Sequence, residues 1–339
     1  MASKKSFWTS IPFHILLFLL TFFTTTVAGV FWLNKDPFDL ENFHYGIPYA
    51  TALLFILACH EFGHYFAARY HKVESTLPYF IPFPMAPSIM GVFLLNFGTF
   101  GAVIRTRSVV PDKRAMFDIG VAGPLAGFVA SVAVLIYGFT HLPGPEFILS
   151  IHPDYDFILN TAPHANGFSL TFGSTLLYSA LQQIFTHPGQ FVPPMTEIYH
   201  YPFLCVGWFG LFVTALNLIP MGQFDGGHVI YAMFGNAHKK IARAVSALLI
   251  VLGAPALLDA FLRILLAVIF KKEYGPLIPF VQYSWSGWLV WALIAIYVIK
   301  IYHPPVPDET GIDSLRKLIG WITIGVFVVS FSLIPFSVE

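Results

Sequence analysis

Apolar residues in this chain gather into long runs separated by short polar stretches, and no run resembles a soluble domain. A membrane-spanning helix needs about 20 mostly apolar residues. Seven runs approach or meet that length: 11–32, 46–69, 115–139, 203–220, 241–270, 285–301 and 318–336. The pattern predicts an all-α polytopic membrane protein with about seven transmembrane helices. Run 11–32 follows Lys4 and Lys5, as a signal peptide would, but it is too long and shows no small-residue cleavage pattern. It is read as the first transmembrane helix.

Two connections break the pattern. Residues 76–103 are rich in proline, glycine and phenylalanine, with Pro78, Pro82 and Pro84 excluding a regular helix. The stretch is too apolar for a water-exposed loop, because irregular backbone at membrane depth must be buried or line a wet cavity. It is expected to be a re-entrant or short β segment between the second and third helices. Residues 169–184 are expected to form an amphipathic interfacial helix.

Composition agrees with the pattern. The 339 residues are 56% apolar and 11% charged, where soluble proteins carry about 25% charged residues. The formal net charge is zero, which offers no basic patch for nucleic acid. Cys59 and Cys205 lie in or beside apolar runs without metal or redox spacing, and are read as buried thiols. Lysine and arginine set the orientation. Lys4 and Lys5 precede the first run; Arg69, Lys72, Arg105, Arg107, Lys113 and Arg114 lie between the second and third; 141–200 contains neither residue type. Lys239, Lys240 and Arg243 follow the fourth run, and Arg316 and Lys317 precede the last. This alternation places the N-terminus in the cytoplasm of a cell inner or plasma membrane and 141–200 outside. Lys271 and Lys272 fall on the wrong side of that scheme.

Within the second run stands His60-Glu61-Phe62-Gly63-His64. Histidines four apart share one helix face, and two neutral imidazoles at that spacing suit zinc. Glu61 then stands beside the metal, where it can take a proton from water. Ionisable groups inside a membrane helix are costly and point to function. A catalytic zinc has three protein ligands and an open position. Asp225 is the expected third ligand: it lies where Pro220, Gly222, Gly226 and Gly227 break a helix, so that the carboxylate is able to turn inward.

Three motifs together resemble the site-2 protease family of intramembrane zinc metalloproteases. They are His60 to His64, the segment Asp118-Ile119-Gly120-Val121-Ala122-Gly123-Pro124-Leu125-Ala126-Gly127, and an N-x-x-P…D-G-G pattern from Asn217 to Gly227. The segment with Pro82-Phe83-Pro84 and Gly98-Thr99-Phe100-Gly101 is similar to the branch found in cyanobacteria and chloroplasts. Nothing resembles the PDZ or CBS domains of some relatives. The resemblance implies one zinc per chain on His60, His64 and Asp225, with Glu61 as general base and proton donor. It implies Asn217 near substrate or the oxyanion, and a membrane-protein substrate whose transmembrane helix unwinds in the bilayer. Residues 98–105 are expected either to offer that unwound backbone a strand edge or to plug the helix bundle. The expected division is 1–45 for the first helix and external loop, 46–238 for the protease core and 239–339 for the C-terminal helices.

Other features read as structural. Gly120, Gly123 and Gly127 suit close helix packing. Asp118 is expected to pair with Arg114, and Asp259 with Arg263. His141, His152, His164, His187 and His200 are irregularly spaced and read as ordinary loop residues, while His228 and His238 are surplus to a three-ligand site. The competing reading is a metal transporter or zinc-binding membrane protein without proteolysis, since transporters also use broken helices. It gives no role to Glu61.

Overall fold

The computed structural model describes residues 9–83, 96–157 and 170–338. Helix α1 (Ile11–Trp32) runs antiparallel to α2 (Phe43–Tyr70) and packs along it. The threonines of α1 are buried without loss of hydrogen bonding. Thr21, Thr25 and Thr26 return their hydroxyls to carbonyls one turn back at 2.7–2.8 Å, which satisfies polar groups where water is absent.

Strands β1 (Tyr79–Pro82) and β2 (Thr99–Val103) follow, antiparallel, with Tyr79 opposite Val103 and Phe80 opposite Ala102. The expected short β segment is therefore a hairpin; residues 84–95 of it lie outside the described residues. Gly98 anchors it. A Cβ there would lie 2.5 Å from Thr25 Cα, and its φ of +78° favours glycine. The Thr24 hydroxyl donates to the Gly98 carbonyl at 2.7 Å.

Helix α3 (Lys113–Thr140) starts on Asp112, whose carboxylate accepts from the Ala115 N–H at 2.8 Å. Beyond it come α4 (Pro145–Ile151), β3 (Leu170–Phe172), α5 (Leu176–Phe185) and a 3-10 turn, Ile198–His200, that leads into α6 (Pro202–Asn217). The predicted helix over 169–184 is corrected here. Its described start is strand β3, and the helix begins after Thr175, whose hydroxyl caps it by accepting from Tyr178 N–H. Then follow α7 (Asp225–Phe234), α8 (His238–Phe270), α9 (Ser286–Ile294) with a π turn at Ala295–Ile299, α10 (Ser314–Ser330) and β4 (Phe336–Val338). The run 318–336 is not one helix. It ends at Ser330, ahead of Pro335, which disfavours helix in the residue before it, and the chain returns as β4 beside β3.

The fold is thus mostly helical. Among the described residues, four helical stretches are long and apolar enough to cross a membrane: Ile11–Trp32, Leu40–Tyr70, Lys113–Thr140 and Asp225–Phe270. Helix α6 has 16 residues, about 24 Å, and is shorter than a hydrocarbon core of about 30 Å. Helix α2 is central, flanked by α1, α3 and α6. Helix α8 by contrast exposes Leu248, Val251, Leu257, Phe261, Ile264 and Val268, a face suited to lipid.

Asp118 does not pair with Arg114. Its carboxylate receives two bonds from Arg316, Nε to Oδ1 at 2.8 Å and Nη2 to Oδ2 at 2.6 Å, and lies 2.7 Å from His71 Nε2. This ties α10 to α3. Asp259 does meet Arg263, at 3.8 Å, and also accepts the backbone N–H groups of Leu277 and Ile278.

Candidate active site

His60 and His64 lie one turn apart on α2, about 15 and about 9 Å from its C-terminal end by helix rise. Their Nε2 atoms are 3.1 Å apart. Asp225 is the first residue of α7, and its Oδ2 stands 3.3 Å from His64 Nε2 and 3.6 Å from His60 Nε2. Each of these residues is largely buried. The three predicted ligands therefore converge on one point.

The orientation of His64 is fixed from behind. Its Nδ1 lies 2.7 Å from the Ile119 carbonyl of α3. A carbonyl only accepts, so Nδ1 carries the proton and Nε2 presents its lone pair to the site. Such a backing contact sets the tautomer of metal-binding histidines. The His64 lone pair, His60 Nε2 and a carboxylate oxygen of Asp225 thus face one another, a donor set that a cation bridges. A point about 2 Å from all three atoms exists in this triangle, the distance that zinc takes to nitrogen and oxygen. The donor set fits zinc.

The glycines of α3 explain how the histidines fit. A Cβ on Gly123 would lie 2.1 Å from His64 Nε2, and one on Gly127 would lie 3.2 Å from His60 Nδ1. Gly63 of α2 passes the Ala122 carbonyl equally closely, at 2.5 Å from its would-be Cβ. The small-residue spacing read as helix packing is thus also the space that the imidazoles occupy.

Asp225 is positioned by a tightly folded break. Chain 218–224 leaves the helix at Leu218, and Gly222 adopts φ +60°. The Gly222 N–H donates to the Ile301 carbonyl at 2.8 Å. Gly226 and Gly227 let the first turn of α7 press on its own approach: a Cβ would lie 2.1 Å from the Leu218 carbonyl oxygen and 2.4 Å from that of Gly222, respectively. The pattern D-G-G is a packing demand as much as a turn signal.

Beside the ligands, Glu61 is buried, with the Ile104 backbone amide directed at its carboxylate. Asn217, the last residue of α6, sets its Nδ2 3.3 Å from His60 Nε2. His60, Glu61 and Asn217 open into one apolar cavity of about 440 Å³. Strand β2 forms one wall of it from Thr99 to Val103, and Phe209, Phe212 and Leu216 of α6 form another. Trp285, Trp291 and Phe336 close it. Those last three, and the Ile301 contact, come from outside the three motifs, and nothing in their sequence pattern marks them. Phe336 reaches the cavity because β4 folds back on β3; its ring meets Trp208 and Phe212 at 5.1 and 5.4 Å.

His228 and His238 stay outside the convergence. His228 Nδ1 instead meets His303 Nε2 at 2.7 Å, and His238 Nδ1 meets the Gly235 carbonyl. Cys205 is buried and Cys59 half-buried, with no disulfide between them.

Comparison with known proteins agrees with this geometry. Residues 48–258 match peptidase family M50. A probable zinc metalloprotease, EGY2, chloroplastic, from Oryza sativa subsp. indica is 29% identical over 266 residues, which is 77% of this chain and 43% of that protein. A probable zinc metalloprotease EGY1, chloroplastic, from Arabidopsis thaliana is 32% identical over 204 residues, 59% of this chain and 32% of that protein. The EGY1 protein of Oryza sativa subsp. japonica is 35% identical over 191 residues, 56% and 28% respectively. The chain spans less than half the length of these relatives. No solved structure matches. The matched region contains His60, Glu61, His64, Asn217 and Asp225 together with the helices that converge them, and the chain belongs to peptidase family M50, the site-2 protease family of membrane zinc metalloproteases.

Proposed function

We propose that this protein is a zinc endopeptidase that hydrolyses peptide bonds within transmembrane segments of other membrane proteins. The observation that carries the reading is the cavity: one apolar space is lined by Glu61 and by His60, one of the three converging residues, and a strand forms its wall. His60, His64 and Asp225 hold the metal. Zinc, when bound, supplies Lewis acidity to a peptide carbonyl and to water.

The protein's own groups do the rest. Glu61 takes a proton from the water that adds to the carbonyl carbon, and gives it to the amine nitrogen as the C–N bond breaks. Asn217 offers its amide N–H to the oxygen that gains charge. A helical substrate has satisfied its own backbone, so it must unwind before it is cut. Strand β2 pairs only with β1 among the described residues, so its other edge is available to take up that backbone by strand addition. The apolar walls keep bulk water from the remaining helix.

In this reading the first six apolar runs and α10 all lie in the bilayer, about seven spans in all. Most lysine- and arginine-bearing ends then face one compartment, with Lys35, Lys271 and Lys272 on the other side, and residues 46–238 form the protease core. Cleavage of a panel of single-span substrates in liposomes tests the reading. Wild type should cut, while Glu61→Gln and chelated wild type should not. A wild type that holds zinc yet cuts nothing, in an assay where a relative works, would favour the zinc-binding alternative.

A further inference from the structure

Two of the external histidines are not ordinary loop residues. His152 ends α4, and His200 lies in the turn before α6. They are 48 residues apart, yet their Nε2 atoms approach to 3.0 Å. Glu197 completes the group, with Oε2 3.6 Å from each Nε2. This triangle of 3.0, 3.6 and 3.6 Å nearly repeats the 3.1, 3.3 and 3.6 Å of His60, His64 and Asp225. A point about 2 Å from all three atoms again exists, as zinc requires.

Two further observations point to a cation. The Glu197 side chain is 0% exposed, and neither carboxylate oxygen has a hydrogen-bond partner among the described residues. A buried carboxylate without partners is costly unless a cation compensates it. His200 is turned by its other nitrogen: Nδ1 lies 2.6 Å from the Trp32 carbonyl, so Nδ1–H donates and the Nε2 lone pair faces His152.

We infer that His152, Glu197 and His200 form a second metal site, for zinc or another divalent first-row transition ion, at the opposite end of α6 from the active site. The two sites are separated by about 25 Å along that helix, taking 17 residues from His200 to Asn217 at the helix rise. The site is structural in its placement. It joins the end of α4 to the turn before α6 and, through the His200 bond to Trp32, to the end of α1. His141 and His187 are not part of it, and His164 lies outside the described residues.

Metal stoichiometry of the full-length protein, loaded with zinc and desalted, tests this without reference to proteolysis. Wild type should hold two zinc ions per chain and Asp225→Ala one. The double variant Asp225→Ala with His152→Ala should hold none. In Asp225→Ala, chelation should also expose the 141–201 segment to limited proteolysis, since the remaining zinc is the one that braces it. One zinc ion in wild type, lost entirely in Asp225→Ala, would overturn the inference. So would two ions that persist in both His152→Ala and Glu197→Gln. Wild-type stoichiometry alone decides if a variant does not fold.

Discussion

Gly123→Ala separates the metal site from the fold that carries it. The added methyl carbon would lie 2.1 Å from His64 Nε2, 2.3 Å from Cδ2 and 2.5 Å from Cε1. Carbon contacts settle near 3.5–4.0 Å, so one partner must retreat by more than about 1 Å. Helix α3 is buried along this face, and the imidazole is the end of a side chain. The ring therefore moves, and it gives up both its bond to the Ile119 carbonyl and its place at the metal. In stability this costs about 1–3 kcal/mol, the usual range for overpacking. In function the cost is larger, because a displacement of about 1 Å at a reacting centre can lower rate about 100-fold. Gly63→Ala makes the contrast, since its methyl meets the Ala122 backbone carbonyl at 2.5 Å rather than a side chain. It should destabilise the α2–α3 contact more than Gly123→Ala does. Gly325→Ala on α10 meets nothing within 4 Å; it should leave zinc and rate unchanged and raise stability by up to about 1 kcal/mol through helix propensity. Thermal unfolding in detergent, zinc content and cleavage rate, measured on all three, check this. A Gly123→Ala protein with full zinc and wild-type rate would refute the steric argument.

Other outcomes follow from the same geometry. Asp225→Ala should release the active-site zinc and abolish cleavage, checked by metal analysis; unchanged occupancy would remove Asp225 from the site. Asn217→Ala should keep the zinc but lower kcat about 100-fold or more, as loss of an oxyanion donor does, with KM little changed. Arg316→Ala should cost about 1–3 kcal/mol, because it removes charge-assisted bonds to half-buried Asp118. A double-mutant cycle with Asp118→Asn should be non-additive, whereas additive losses would show that the pair contributes little.

Much of the site was legible because its chemistry is local. His60, Glu61 and His64 share one helix turn, and the helix-breaking residues around Asp225 announce a turn that can aim a carboxylate. That 76–103 is not a regular helix and holds a short β segment was legible from its prolines and glycines, but the antiparallel pairing of two strands was not. What the sequence concealed is long-range. Asp118 chooses Arg316 over the nearby Arg114 because α10 returns to α3, a pairing across 198 residues. Phe336 closes the cavity only because the helical run stops at Ser330 and β4 pairs with β3. His152, Glu197 and His200 carry no metal-binding spacing, and only the packing of α4 on the turn before α6 assembles them. The glycines of α3 lay between these cases: their spacing signalled close packing, but not that imidazoles fill the space.

The position of the cut bond tests the central claim most directly. Mass spectrometry of the fragments from a single-span substrate, cleaved by the zinc-loaded wild type in liposomes, should place the scissile bond inside the apolar span, with no fragments from Glu61→Gln. Cuts confined to the substrate's water-exposed flanks, or fragments that persist in Glu61→Gln, would contradict it.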